Sequence, residues 1–150
     1  MRCEIVSQDR SVFEGDVDMV IAPGEMGQMG ILPNHAPLLS TLKYGILRVV
    51  HRQGEEIFTI AGGIIEVQPD IVTILANAAE NVAEIDVARA EDARQRAVEF
   101  LEKGPPPDTD TYLRMEAALK RSNLRLEAVR RFRKQGRSSG MSGIEKGETE

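Results

Sequence analysis

Turn-forming residues recur roughly every eight to twelve positions through the first 85 residues, and the segments between them are short and apolar. Within residues 2–21, Val17, Met19 and Ile21 occupy alternate positions after a turn signal at 14–16. This period of two predicts a half-buried strand. Many short strands at such a spacing are typical of an all-β sandwich or barrel.

The apolar pattern between residues 45 and 75 predicts two further pairs of strands. Residues 45–61 contain a turn at 53–54 with an apolar segment on each side, which predicts a hairpin. A second pair is predicted to begin at 62–63, where two glycines stand together, and to turn at 69–70. Its segments are rich in β-branched residues, which pack well on a pleated surface.

Three glycines at a spacing of three, together with three prolines, set the stretch 22–45 apart. Gly24, Gly27 and Gly30 can adopt positive φ without a Cβ clash, and each proline fixes φ and removes a backbone donor. The stretch is therefore predicted to be a chain of turns between short strands. A phosphate-binding Walker loop is excluded, because it needs a lysine and a serine or threonine directly after its last glycine.

His35 is the one residue of this stretch suited to acid–base or metal chemistry. Two roles are open for it: a turn histidine bonded to the backbone, or a catalyst. Elsewhere no nucleophile–base pair, paired-carboxylate site or metal-ligand cluster stands out by spacing. The sequence thus favours a protein that binds partners over an enzyme.

The period of the pattern changes at Asp86, after which the chain is rich in Ala, Glu and Arg. Asp86 is a good N-cap for a helix, and Gly104 with the three prolines behind it predicts a firm stop. Asp108 or Asp110 is expected to cap a second helix over 111–135. Two helices with so short a linker predict an antiparallel hairpin.

Small and apolar residues mark the faces on which these two helices meet. The second helix has a seam at spacings of 4, 3, 4 and 3, formed by Met115, Leu119, Ser122, Leu126 and Val129. The first helix offers Ala90, Ala93, Ala97, Phe100 and Leu101. Because alanines bury little apolar area, the contact is predicted to be thin and the hairpin able to open. The tail 136–150 is small and polar and is predicted to be disordered.

Charge is divided between the two parts of the chain. Residues 1–85 carry 5 basic and 12 acidic side chains, whereas residues 111–137 carry 9 basic and 2 acidic ones, within a net charge of −5. A basic segment suits nucleic acid, an acidic protein partner or an anionic ligand. The predicted strands have few aromatic residues and no basic stripe, which argues against nucleic acid.

Composition narrows the setting further. The single cysteine, Cys3, excludes an internal disulfide and a cysteine-based metal site, and it suits the cytosol. No apolar run reaches the ~18 residues of a membrane span. The residues after Met1 are not those of a signal peptide.

Three motifs in this order resemble the epsilon subunit family of the F-type ATP synthase. They are S-V-F-E-G at 11–15, P-G-E-M-G-Q-M-G-I-L-P-N-H-A-P-L-L at 23–39 and I-A-G-G at 60–63. The likeness extends over about 135 residues, although this chain lacks a proline that such proteins place near Gln8-Asp9. The tri-proline linker and the tail 136–150 also depart from the family pattern.

The resemblance implies a fold and a function. It implies a sandwich of about ten strands at 1–85 that attaches the gamma subunit to the membrane rotor ring, and a two-helix regulatory hairpin at 86–135. When extended, the hairpin is expected to reach the catalytic alpha and beta subunits and inhibit ATP hydrolysis. The protein is then expected to be a non-catalytic, peripheral subunit on the cytoplasmic face of a bacterial membrane. A purely structural stalk subunit without nucleotide sensing is the alternative.

The motif I-D-x-x-R-A at 85–90 resembles that of family members in which this subunit binds ATP as a regulatory ligand. The resemblance implies a nucleotide site formed by Glu80, Asp86, Arg89, Ala90, Arg96, Arg121 and Arg125. Helical spacing also brings the first-helix members to one face, and converging arginines suit phosphate oxygens. In the alternative reading, the arginines point to solvent and pair with Glu91, Glu99 or Glu127.

Overall fold

The structure, a computed structural model, describes residues 1–104 and 108–133. Within them the chain forms eight strands, then two helices. The strands are β1 (Arg2–Val6), β2 (Ser11–Asp16), β3 (Met19–Gly24), β4 (Gly27–Ile31), β5 (Leu38–His51), β6 (Gly54–Val67), β7 (Ile71–Ala76) and β8 (Ala79–Asn81). The helices are α1 (Val87–Glu102) and α2 (Thr109–Ala128); a 3-10 turn (Val82–Glu84) precedes α1 and a π-helical turn (Val129–Arg133) follows α2.

The strands lie in the order β2-β1-β7-β6-β5-β3-β4, and β8 pairs with β6 beyond the end of β7. All neighbours are antiparallel except β1 and β7, which are parallel. Phe13 of β2 contacts Phe58 of β6 edge to face, with ring centroids 5.8 Å apart, although β1 and β7 separate their strands. The sheet therefore folds over a shared core, and the predicted β-sandwich followed by two helices is confirmed.

The described residues form eight strands, fewer than the ten or so expected, because two of the strands are long. β5 and β6 have 14 residues each and pair from one end to the other. β7 pairs with one half of β6 and β8 with the other half. Between those halves, Gly62 and Gly63 have φ of 80° and 145°, so the strand bends there and continues. The predicted pair with its turn at 69–70 is confirmed, since Gly63–Val67 pair with Val72–Ala76, but its first segment continues β6 and is not a separate strand.

The predicted turn at 14–16 is also wrong, because these residues belong to β2. The chain turns instead at Val17-Asp18, where the Val17 N–H donates to the Met1 carbonyl and the Asp18 N–H to the Val50 carbonyl, both at 2.7 Å. β3 starts only at Met19, and its fully buried residues are Val20 and Ala22. The predicted alternation therefore has the wrong phase. It counts Val17 as part of the strand, but Val17 is buried before the strand begins.

The stretch 22–45 contains no helix, as predicted, but its last eight residues belong to β5. Of its three spaced glycines only Gly27 has positive φ, at 125°. Gly24 is needed for space, because an added Cβ would lie 2.9 Å from the Gly27 carbonyl oxygen, whereas at Gly30 the nearest atom is the flexible terminal methyl of Met19 at 3.1 Å.

The two helices begin at aspartate caps. The Asp86 carboxylate accepts a hydrogen bond from the Arg89 N–H at 3.2 Å, as predicted, and Gly104 follows the helix with φ of 97°. Of the two candidate caps for α2, Asp108 is the N-cap, so α2 begins at Thr109, two residues earlier than predicted. The end predicted at residue 135, like the tail 136–150, lies outside the described residues.

The helices pack on each other through small residues, as predicted, and α2 also packs on the sandwich. Ala90 and Ala97 of α1 and Ser122 of α2 are buried. A second apolar cluster, separate from the sandwich core, joins the end of the hairpin to β5 and β6; it consists of Val82, Ile85 and Ala128 with Ile46, Ile57, Val129 and Phe132 around them. This contact places α2 along one end of the sandwich.

Candidate functional site

Among the cavities between the hairpin and the sandwich, two share lining residues of the expected site. The first, here called the helix cavity, has a volume of about 230 Å³ and is lined by Glu80, Ile85, Asp86, Arg89, Ala90, Ala93, Arg96 and Arg125. The second, the turn cavity, has a volume of about 330 Å³ and is lined by Ser7, Asp9, Arg10, Thr59, Ala61, Asn77, Ala78, Ala79, Glu80, Arg121, Leu124 and Arg125. Glu80 and Arg125 belong to both, so they stand at the boundary.

The helix cavity brings together six of the seven residues of the expected nucleotide site. The seventh, Arg121, lies one helical turn before Arg125 and faces the turn cavity. Because residues four apart share a face of a helix, α2 presents both guanidinium groups toward the sandwich. The predicted residues therefore form one continuous region that extends across both cavities.

An ion pair joins the sandwich to α2 at the boundary. Arg125 Nε donates to Glu80 Oε2 at 2.6 Å, and both side chains are about one-third exposed, at 34% and 30%. A charge-assisted bond at this distance is well formed, but its exposure to solvent screens it to roughly 1 kcal/mol. The pair positions both side chains without locking the helix in place.

The start of α1 forms the floor of the helix cavity. Asp86 caps the helix through Oδ1, so the cap uses only one of its carboxylate oxygens. Ala90 donates its N–H to the Asp86 carbonyl at 3.0 Å, and its buried methyl group lets α2 approach closely. Ala90 therefore contributes both to the packing of the hairpin and to the lining of the cavity.

The cavity arginines do not form the ion pairs that the alternative reading required. Glu91 pairs with Arg94 at 3.1 Å, and Glu99 accepts a hydrogen bond from Gln95 at 3.3 Å. Within residues 1–104 and 108–133, no carboxylate lies within 4.0 Å of a guanidinium nitrogen of Arg89, Arg96 or Arg121. Arg89 and Arg96 are exposed and Arg121 is half-buried.

Sequence reasoning missed a clamp at the end of α2. Arg133 Nη2 lies within hydrogen-bond distance of the carbonyl oxygens of Val82, Ala83 and Ile85, at 3.0, 3.1 and 2.6 Å. Val82 and Ala83 belong to the 3-10 turn and Ile85 caps its end, and the Val82 carbonyl also accepts a hydrogen bond from the Ile85 N–H at 3.4 Å. The only sequence signal is the basic character of residues 111–137, which does not distinguish a contact within the chain from a partner or an anionic ligand.

Sequence reasoning also missed Ser7, Asp9 and Arg10, which form the turn between β1 and β2. The Arg10 carbonyl accepts hydrogen bonds from the Ser7 N–H at 2.9 Å and the Ser7 hydroxyl at 3.3 Å. This turn closes without the proline expected near Gln8-Asp9. It forms one wall of the turn cavity opposite α2.

The side chains of His35 and Cys3, which could take part in chemistry, are held by contacts within the fold. His35 Nδ1 lies 2.7 Å from the Ala36 carbonyl oxygen, so it donates to the backbone, as the first of its two open roles predicted. Cys3 is fully buried, and burial together with the nearby Glu4 carboxylate raises the pKa of its thiol to about 12. Among the described residues, no three His, Cys, Asp or Glu side chains form a metal-binding group.

Family models match the chain over nearly its whole described length. Residues 1–82 match the beta-sandwich domain of the ATP synthase delta/epsilon chain, and residues 83–130 match its long alpha-helix domain. In the described part of the chain, no helix is both long enough and apolar enough to cross a membrane.

Solved structures support the fold. A chain in the mitochondrial ATP synthase of Euglena gracilis, from a cryo-EM structure containing OSCP, F1 and the c-ring, superposes with a TM-score of 0.63 at 26% identity, covering 79% of this chain and 74% of that one. A chain from the central stalk and c-ring of the Tetrahymena thermophila enzyme has a TM-score of 0.58 at 12% identity, covering 86% and 96%, and shows the fold alone.

Relatives of similar length share much of the sequence. The ATP synthase epsilon chain of Acidithiobacillus ferridurans is 46% identical over 132 residues, which covers 88% of this chain and 92% of the relative. That of Nitrosococcus oceani is 43% identical over 138 residues, covering 89% and 95%. With both domain models matched in order and relatives aligned over most of their length, this chain belongs to the ATP synthase epsilon chain family.

Proposed function

We propose that this chain is a non-catalytic subunit of the ATP synthase central stalk, joining the gamma subunit to the membrane rotor ring. Membership of the epsilon chain family carries the proposal, and the Euglena neighbour comes from an assembly that contains F1 and the c-ring. The chain then works as a peripheral protein on the cytoplasmic face of a bacterial membrane. Its role is mechanical attachment, with proton transport performed by other subunits.

Apolar side chains at the ends of β4 are candidate contacts with these partners. Met26, in the turn before β4, is fully exposed, and Leu32, in the loop that contains His35, is 55% exposed. Loops held by a rigid sandwich are common binding surfaces, and an exposed apolar side chain there gains from burial in an interface. The two contacts lie at opposite ends of β4, so they suit two different partners.

A charge at Leu32 tests the attachment. Leu32→Glu is expected to reduce the amount of this chain that remains in the purified membrane complex, because a buried unpaired carboxylate is costly. Leu113→Glu is the matched control, since Leu113 on α2 is exposed to the same degree, 54%. Equal retention of both variants would refute a role for the His35 loop, and a wild-type chain that purifies free of gamma would refute the stalk assignment.

The hairpin supplies the proposed regulation. α2 and the π-helical turn after it are basic, and they are held to the sandwich by a small apolar cluster, one ion pair and the Arg133 clamp. Released, the helix can extend toward acidic surfaces of the catalytic alpha and beta subunits and inhibit ATP hydrolysis. Deleting residues 109–150 is expected to raise ATP hydrolysis by the assembled enzyme, and high salt is expected to weaken inhibition in the full-length one. An unchanged rate after deletion would refute this regulation.

We further propose that the docked hairpin binds ATP as a regulatory ligand. The observation that supports this is the convergence of Asp86, Arg89, Arg96 and Arg125 on one cavity beside Glu80. Guanidinium groups bind phosphate oxygens in pairs, and carboxylates accept hydrogen bonds from an adenine amine or ribose hydroxyls. The helix cavity alone is smaller than typical ligand sites of about 300–1,000 Å³, but the two cavities together fall within that range.

Calorimetric titration of the isolated chain with ATP tests the site. Binding is expected in the wild type and is expected to weaken about tenfold or more in Arg89→Ala, since a charge-assisted hydrogen bond contributes ~1.5–3 kcal/mol. Arg94→Ala is the matched control: it also lies on α1, but it pairs with Glu91 outside the cavity. No heat at millimolar ATP, or equal affinity in both variants, would refute nucleotide binding here.

One observation favours a purely structural stalk subunit as the second candidate. The Glu80–Arg125 pair already joins two residues of the expected site across the boundary between sandwich and helix. If the pair serves only to hold α2, then Glu80→Gln should loosen the hairpin, and ATP should have no effect on the hairpin in either the variant or the wild type. If it serves the ligand, ATP should tighten the wild-type hairpin.

A further inference from the structure

We infer that the turn between β1 and β2 is part of the nucleotide site, and that Arg10 binds the terminal phosphates. This inference rests on the proposed ATP binding and adds a group from the sandwich that the expected site did not include. Arg10 lines the turn cavity together with Arg121 and Arg125. A ligand held there contacts the sandwich and α2 at once.

Charge decides which part of the nucleotide this cavity suits. Its ionisable side chains are Asp9, Arg10, Glu80, Arg121 and Arg125. The Glu80 carboxylate is already engaged by Arg125, and within the described residues Arg10 and Arg121 have no carboxylate within 4.0 Å. Two guanidinium groups that line one cavity from different elements can both donate to a single phosphate, which supplies several oxygens.

The backbone holds Arg10 in place on its wall. The Ser7 N–H and hydroxyl both bond to the Arg10 carbonyl, which closes the turn between two paired strands. The opposite wall is α2, where Arg121 and Leu124 face the cavity. Because the walls belong to different parts of the molecule, a phosphate bridging Arg10 and Arg121 favours the docked hairpin by its differential affinity for that state.

The continuity of the two cavities sets the direction of the ligand. The helix cavity contains both carboxylates suited to base or ribose recognition, Glu80 and Asp86. The phosphate chain then begins beside Arg89 and Arg96, passes Arg125 at the boundary and ends in the turn cavity. Nucleotides with shorter phosphate chains reach the helix cavity but leave Arg10 without a partner.

Two measurements on the full chain test this assignment. In ATP titrations, Arg10→Ala is expected to weaken affinity about tenfold, the loss of one charge-assisted bond. Arg52→Ala is the matched control, since Arg52 is an exposed turn arginine that lines a different cavity, and its affinity should equal that of the wild type. In hydrogen exchange, ATP is expected to slow exchange of the amides at 8–10 in the wild type only.

The outcomes separate this inference from the proposed function. ATP binding with unchanged affinity in Arg10→Ala and unchanged exchange at 8–10 would overturn the assignment of Arg10 and leave nucleotide binding standing. An equal loss in Arg10→Ala and Arg52→Ala would also overturn it, because it would reflect net charge alone. Absence of ATP binding to the wild type would overturn both proposals together.

Discussion

Removal of the Arg133 guanidinium should release the end of α2 from the sandwich. One nitrogen, Nη2, lies within 3.1 Å of three carbonyl oxygens, but it carries only two hydrogens. At most two of the three contacts are therefore well formed at once. Each hydrogen bond from a charged donor contributes ~1.5–3 kcal/mol when buried, and Arg133 is only half-buried.

With at most two well-formed bonds and partial exposure, the clamp contributes about 2 kcal/mol. This corresponds to a shift of roughly thirtyfold in the equilibrium between docked and released α2. Arg133→Lys places one compact ammonium where the planar guanidinium was, so it should restore only part of this contribution. The apolar cluster around Ala128 remains in the variant and keeps the helix from leaving altogether.

Hydrogen exchange of the α2 amides in the full chain measures this shift. Arg133→Ala should exchange about thirtyfold faster in the last turns of α2, whereas Arg130→Ala, an exposed arginine on the same turn, should match the wild type. Equal protection in Arg133→Ala and the wild type would refute the clamp. Equal acceleration in both variants would show that basic charge, not the carbonyl contact, holds the helix.

Two further predictions concern the sandwich. Gly63→Ala should lower the free energy of unfolding by about 3 kcal/mol or more, because φ is 145° and the new Cβ would lie 2.3 Å from the Leu75 carbonyl oxygen. The control Gly54→Ala, with φ of 138° and no atom within 4 Å, should lower it by only ~1–2 kcal/mol. Equal losses of stability in urea unfolding would contradict this prediction. The Cys3 thiol, with its pKa raised to about 12 from an unfolded value of 9.0, should resist alkylation at pH 8 in the native protein and react in denaturant. Since the folded state holds this proton more tightly, stability should be full below pH 9 and fall as pH rises toward 12, and rapid native alkylation would contradict the burial.

The candidate site was partly predictable because its first-helix members are linked by local spacing. Asp86, Arg89 and Ala90 lie within five residues, and the helix that joins them begins at a cap that the sequence marks clearly. Helical geometry then fixes their relative positions. Arg125 and Glu80 came from the resemblance, and only the docking of α2 brings them within 2.6 Å.

Arg10 and Arg133 lay beyond the reach of sequence reasoning. Arg10 is 111 positions before Arg121, which lines the same cavity, and Arg133 is 48–51 positions from the carbonyls it binds. No local pattern encodes such a separation. Each of these contacts depends on how α2 packs against the sheet, and the apolar cluster between them sets that packing.

The sequence by itself determined the local features: the strand-rich first part, the absence of a helix in 22–45, the cap at Asp86 and the stop at Gly104. Propensity, capping and turn chemistry act between residues a few positions apart, so a linear pattern contains them. The tertiary structure alone decided the phase of β3, the bend at 62–63 and the cavities. These depend on hydrogen bonds and packing between distant segments, such as Val17 with Met1, and no single segment contains the information that selects them.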